Sequence, residues 1–187
     1  MKATSWLDDY FAPYQKLLSS PDTYEGITCA RDLFLKAKAG GGKLIFAGNG
    51  ASASIASHLA VDLTKQAGVP AVTFNEPNLI TAFANDYGYE RWVAEAIRMH
   101  GRSGDVVVLI SSSGKSPNIL QAAKQAHTQS CPVVTFSGFA PDNPLRSLGD
   151  VNLWVDSRAY NIVECIHMIW LTAICDLIIG RAEYGVS

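Results

Sequence analysis

Two loops carry the residues best suited to chemistry. The first, Gly48-Asn49-Gly50-Ala51-Ser52, follows the apolar run Leu44 to Ala47 and opens an Ala-rich segment bearing His58 and Asp62 at helical spacing. The second, Ser111-Ser112-Ser113-Gly114-Lys115-Ser116-Pro117-Asn118, ends the β-branched run that starts at Val106. A strand, a glycine-containing turn and a helix start together make an anion site, because free backbone N–H groups and the positive end of the helix dipole converge there. Serine hydroxyls donate to phosphate oxygens without the cost of burying a cation. Neither loop is the Gly-x4-Gly-Lys-Ser/Thr of nucleotide hydrolases, nor the dinucleotide Gly-x-Gly-x-x-Gly. The phosphate they suit is carried by something else, and a sugar is the candidate. A Ser-rich loop can also be a plain solvated turn, and Ser116 could simply cap its helix. Two such loops, on strands that could be neighbours, favour the phosphate.

These loops need elements to hold them. Hydrophobic periodicity predicts helices over about 4–18 and 22–39, the first with Trp6, Phe11, Tyr14, Leu17 and Leu18 on one face, and Gly40-Gly41-Gly42 ends the second. Strands are expected at 44–47, 71–74, 106–111, 133–136 and 152–155, and further helices at 52–66, 90–99, 116–128 and 161–179. No element is assigned between 75 and 89. Strands alternating with helices imply an α/β fold, a parallel sheet with helices on both faces, N-terminal helices and a long C-terminal helix. Ligands of such sheets bind at the carboxyl ends of the strands.

The 187 residues are the size of one domain, with 48% hydrophobic and 17% charged residues, which favours a well-packed or oligomeric protein. A net charge of -2, with no run of Lys or Arg, excludes a direct nucleic-acid footprint. Cys29, Cys131, Cys165 and Cys175 form no C-x-x-C pair, and the apolar surroundings of Cys165 and Cys175 predict buried free thiols, as suits a reducing cytosol. Asp8 and Asp9 stand where a signal peptide needs its apolar core, so the expected location is cytoplasmic. The run from Ile166 to Ile179 is too short and too interrupted to span a bilayer, which takes about 20 apolar residues. No membrane association is expected.

The successive segments Gly48-Asn-Gly-Ala-Ser52, Asn85-Asp86-Tyr-Gly88, Gly104-Asp105-Val and Ser111 through Asn118 resemble the signatures of the sugar isomerase (SIS) domain family. Within it they look most like the phosphoheptose isomerases, which interconvert sedoheptulose 7-phosphate and glycero-manno-heptose 7-phosphate on the route to heptose-containing surface glycans. The resemblance covers nearly the whole chain. It implies a single SIS domain over 1–187, with helices within 1–40 used in oligomerisation and an α/β core over 43–187. It implies that Ser111, Ser113 and Ser116 hold the phosphate with Ser112 in the same cradle. Asn49, Gly50, Ala51 and Ser52 would then line the sugar, and Asn85 and Asp86 would contact its hydroxyls. It also implies a homotetramer with sites built between subunits.

Aldose–ketose isomerisation moves one proton between C1 and C2 and another between O1 and O2, which takes a carboxylate and a second acid/base group. The family resembles this scheme, with a His and a Glu four residues apart on the helix after the first loop, then a Gln and a His eight apart on the last helix. This chain retains His58, but Asp62 stands for the Glu, Glu164 for the Gln and Thr172 for the second His. His58, Asp62 and Glu164 could bind a divalent ion such as zinc. His58 could equally be an ordinary buried, hydrogen-bonded histidine, and Asp62 could face solvent on the helix. Glu164 lies in the apolar stretch Asn161 to Trp170, where a carboxylate is costly unless used or paired. Asp62 or Glu164 is the expected base. His167, close to the face of Glu164, could move the second proton or be a core histidine. Tyr160 and Trp170 are read as packing residues.

Two functions follow from the resemblance. One is a phosphosugar isomerase working through an enediol. The other is a non-catalytic SIS module that binds a phosphosugar as a sensor or adaptor, for example a replication-initiator-binding homotetramer.

Overall fold

The computed structural model describes residues 3–183; the expected domain limits at 1 and 187 lie outside them. In chain order the elements are α1 (Ala3–Leu17), α2 (Pro21–Ala39), β1 (Leu44–Gly48), α3 (Ala51–Lys65), β2 (Ala71–Thr73), α4 (Pro77–Tyr87), α5 (Trp92–His100), β3 (Val106–Ser111), α6 (Pro117–Thr128), β4 (Val133–Ser137), β5 (Val151–Trp154) and α7 (Tyr160–Ile179), with a short 3-10 turn at Arg146–Leu148. The strands form one five-stranded sheet in the order β2-β1-β3-β4-β5, with every pairing parallel.

Every residue of β1, β3 and β4 is buried, as runs such as Leu44-Ile-Phe-Ala and Val106-Val-Val-Leu-Ile require when helices cover both faces. On one face Phe34, Leu59, Leu63, Trp170 and Ile174, from α2, α3 and α7, close over Phe46, Val108 and Phe136. On the other, Trp92, Val93, Ile97, Ile119 and Ala122, from α5 and α6, close over Ile45, Val107 and Leu109. Each fully buried large apolar side chain contributes about 1.5–3 kcal/mol of transfer free energy.

The register positions the site. Gly48 pairs with Ile110, so the loops leaving β1 and β3 start side by side. The chain after β1 then enters α3 on one face and the chain after β3 enters α6 on the other. Strand order reverses at β1/β3, and a crevice opens between loops that leave in opposite directions.

Four expectations need correction. Residues 77–87, assigned no element, form α4. Pro77 supplies a preset φ at its first turn, and Glu76 caps it by accepting from the Leu79 N–H at 2.9 Å. The apolar face expected on α1 is covered only at its end: Tyr14, Leu17 and Leu18 pack on the core, whereas Trp6 and Phe11 remain about half exposed at 48% and 52%. Cys165 is exposed, because it lies on the outward side of α7 near Tyr14; Cys175 is buried as expected, and all four thiols are free. Finally, α7 is 20 residues long and, by length and composition, apolar enough to cross a membrane. Here it serves as a core helix, with Val163, Ile166, Trp170, Leu171 and Ile174 buried against the sheet, α2 and α3.

Candidate functional site

At the carboxyl ends of β1 and β3 lies a cleft of about 290 Å³. Its walls are Asn49, Gly50, Ala51 and Ser52 from the first loop, Ile110, Ser111, Ser112, Ser113 and Ser116 from the second, and Tyr160 and Glu164 from α7. Nine residues singled out in the sequence therefore meet here, although the two loops are about sixty residues apart and α7 lies further along still.

Glycines let the loops approach. A Cβ on Gly48 would stand 2.7 Å from the backbone of Ser52, so only glycine lets α3 turn back this tightly over the end of β1. Gly50 precedes α3 at φ +56, and no atom lies within 4 Å of where its Cβ would be, which leaves the helix N-terminus open to a ligand. In the second loop Gly114 has φ +62 and packs on the side chain of Asn143.

The serine hydroxyls cluster at the carboxyl end of β3. Ser116 makes no side-chain bond to the backbone N–H groups of α6, so the capping alternative falls away; its Oγ instead lies 3.2 Å from Ser111 Oγ. Ser113 Oγ accepts from the Lys115 N–H at 3.2 Å, while Lys115 itself is exposed and is not among the cleft-lining residues. Ser112 Oγ is buried without a hydrogen-bond partner, although the residue is among those lining the cleft. The two loops are tied by Asn49 and Asn118, whose side-chain amides donate to each other at 2.9 Å, and Tyr89 Oη donates to Asn49 Oδ1 at 3.3 Å.

Other candidates lie elsewhere. His167 is fully buried with Nε2 donating to the Ser137 carbonyl at 3.0 Å and its ring edge-on to Phe136, so it has the position of a core histidine, not of a group touching substrate. Burial holds its pKa down at about 4. Asn85 and Asp86 end α4, exposed and paired with each other at 2.9 Å, outside the cleft. His58 and Asp62 pair across one turn of α3 at 3.2 Å, with the His58 side chain 57% exposed, and neither lines the cleft.

The metal expectation therefore does not fit a single chain. Glu164 is in the cleft while His58 and Asp62 satisfy each other outside it, and among the described residues no three His, Cys, Asp or Glu side chains are grouped to hold an ion. Thr172 donates to the Met168 carbonyl at 2.9 Å and is also outside the cleft.

Two contributors were missed. Tyr160, read as packing, lines the cleft; its place at the start of a helix that follows a strand's carboxyl end was the available signal. Asn118, at 1% exposure, was visible only as the last residue of the serine segment.

Comparison with known proteins defines the class. Residues 9–138 match the SIS domain, and the chain belongs to that family. Within it the likeness is to phosphoheptose isomerases. The chain is 38% identical over 155 residues to the phosphoheptose isomerase of Streptomyces coelicolor, covering 78% of this chain and 67% of the relative. The structure of phosphoheptose isomerase GmhA from Neisseria gonorrhoeae superposes with a TM-score of 0.83 at 30% identity, over 94% of this chain and 98% of the other. The DnaA initiator-associating protein DiaA of Yersinia pestis is 31% identical over 162 residues, covering 82% of this chain and 83% of that protein.

Proposed function

We propose that this chain is a phosphosugar aldose–ketose isomerase of the phosphoheptose type, acting on sedoheptulose 7-phosphate through an enediol. One observation carries the reading: the carboxylate-bearing Glu164 shares one cleft with the serine cradle of Ser111, Ser112, Ser113 and Ser116. A phosphate anchored in the cradle fixes one end of the sugar, and Glu164 serves the other. Of the two carboxylates that the sequence offers, Glu164 is favoured over Asp62, which is paired with His58 outside the cleft.

In the ketose-to-aldose direction Glu164 takes a proton from C1. The C–H electrons form the C1=C2 double bond, and the C2 oxygen gains a proton, giving the enediol. O1 then loses its proton as the C1 carbonyl forms, which balances the proton gained at O2, and Glu164 returns its proton to C2. Asn49 and Ser52 line the same cleft. The reading includes cytoplasmic location and a homotetramer, the latter supported by the aromatic face that α1 leaves uncovered.

The test is to incubate the protein with sedoheptulose 7-phosphate in D2O and follow C1 and C2 by NMR. Solvent deuterium entering the sugar, with an aldose appearing, is the expected result. No exchange with that sugar or with hexose and pentose phosphates contradicts the proposal.

A second reading, a non-catalytic phosphosugar-binding module, has a specific observation in its favour. Thr172 stands where the family resemblance expects a His, and its hydroxyl is committed to the Met168 carbonyl. The DiaA likeness lies on the same side. Tight binding of a phosphosugar without exchange would select it.

A further inference from the structure

Tyr160 is the feature of the cleft that the proposed chemistry leaves unused. It lines the cleft one helical turn before Glu164. Its ring stands edge-to-face on Phe139, with centroids 4.9 Å apart and planes at 73°.

Phe139 is held in an unusual way. Its φ is +59, a left-handed conformation that a bulky side chain adopts only where the surroundings impose it. Here they do. The Gly138 N–H donates to the Ser112 carbonyl at 3.0 Å, and the Phe139 N–H donates to the Ser157 carbonyl at 2.8 Å. A Cβ on Gly138 would stand 2.8 Å from Val163, so this backbone fits only as glycine. One continuous chain of contacts therefore runs from the serine loop, through Gly138 and Phe139, to the ring of Tyr160.

We infer that Tyr160 is a specificity-determining residue of the cleft, its ring forming a wall against the C–H face of the sugar while the serine cradle holds the phosphate. This rests on the phosphosugar reading given above. A sugar chain bound at one end by hydroxyls presents C–H groups along its length, and an aromatic face shields them from water where no backbone donor could serve. Phe139 fixes the ring edge-on, so the wall is set before ligand arrives and little side-chain freedom is lost on binding. The ring contributes and the hydroxyl does not.

The test measures affinity by calorimetry for two classes of probe. Inorganic phosphate reports on the cradle alone; sedoheptulose 7-phosphate, fructose 6-phosphate and ribose 5-phosphate report on cradle plus wall. In Tyr160→Ala the sugar phosphates should bind about three- to tenfold more weakly, as expected for one aromatic contact, with inorganic phosphate unchanged. Tyr160→Phe should bind both classes as wild type does. At 60% exposure the side chain can be removed without opening the core, and the phosphate affinity itself certifies an intact cradle. Equal losses for both probes, or no change in either, would overturn the assignment. So would a wild-type protein that binds no sugar phosphate more tightly than phosphate. If wild type binds neither class, the phosphosugar reading itself fails and this inference with it.

Discussion

The side-chain amides of Asn49 and Asn118 face each other with two reciprocal hydrogen bonds, each 2.9 Å long, across the crevice where β1 and β3 end. The pair ties the loop after β1 to the first turn of α6, the helix that follows the serine loop. Asn118 is buried, and removing it takes away the partner of the Asn49 amide N–H, leaving Asn49 only its bond from Tyr89. Asn118→Ala should lower stability by about 2 kcal/mol, seen as a lower urea midpoint at unchanged slope. Phosphosugar affinity should fall as well, because the two halves of the site lose their register. An unchanged midpoint would show that the pair does not hold the loops.

Ser112 separates binding from stability. Its Oγ is buried and unpartnered, so the folded protein bears the desolvation of that hydroxyl without a compensating bond. Ser112→Ala should leave stability unchanged or raise it by about 1 kcal/mol, while weakening phosphate binding about tenfold. Thermal melts with and without inorganic phosphate check both halves. A destabilised variant with unaltered phosphate affinity would make Ser112 a structural residue.

Gly114 is a demanding backbone position, combining φ +62 with a side-chain contact from Asn143. Gly114→Ala should cost about 2 kcal/mol or more from the left-handed conformation and the collision together. The serine loop should shift with it, so phosphate binding should drop in the same variant. Wild-type stability in that variant would argue against the loop conformation described here.

Much of the fold was legible because its strands are unambiguous. Val106 to Ile110 is apolar at every position, which only a strand covered on both faces explains, and glycines mark where β1 and the second helix stop. The serines were singled out because two such loops follow strands that could be neighbours, and the structure sets those strands side by side. Glu164 stood out because a carboxylate is conspicuous in an apolar helix, and it lines the same cleft. Position around α7 was not legible. His167 and Glu164 are three residues apart, yet one points into the core and the other lines the cleft, and hydropathy along a helix apolar nearly all round does not distinguish those sides. Tyr160 does pack, on Phe139, as read from the sequence, but it also lines the cleft, which its place at the start of α7 could have signalled. Helix α4 was not assigned, although Leu79, Ile80, Phe83 and Ala84 recur at helical spacing and pack partly buried against the core.

His167 gives a pH dependence with a defined sign. Burial lowers its pKa in the folded protein from 6.5 to about 4, so on acidification the unfolded chain takes up the proton first. Its contribution is therefore fully present above about pH 6.5, declines as pH falls toward 4, and amounts to about 3 kcal/mol at most. Urea titrations at pH 7, 5.5 and 4.5 should show that decline, and His167→Gln should flatten it. A profile identical in wild type and variant would mean the ring is not held neutral.

In the proposed reaction Glu164 moves the C1/C2 proton while the serines hold the phosphate. The most direct measurement compares wild type and Glu164→Gln in D2O with sedoheptulose 7-phosphate, reading deuterium entry at C1 and C2 alongside binding affinity. Exchange in wild type, a loss of about 10²-fold or more in the variant, and sugar affinity within a few-fold of wild type are expected. Exchange that survives Glu164→Gln at the wild-type rate would show that Glu164 is not the base.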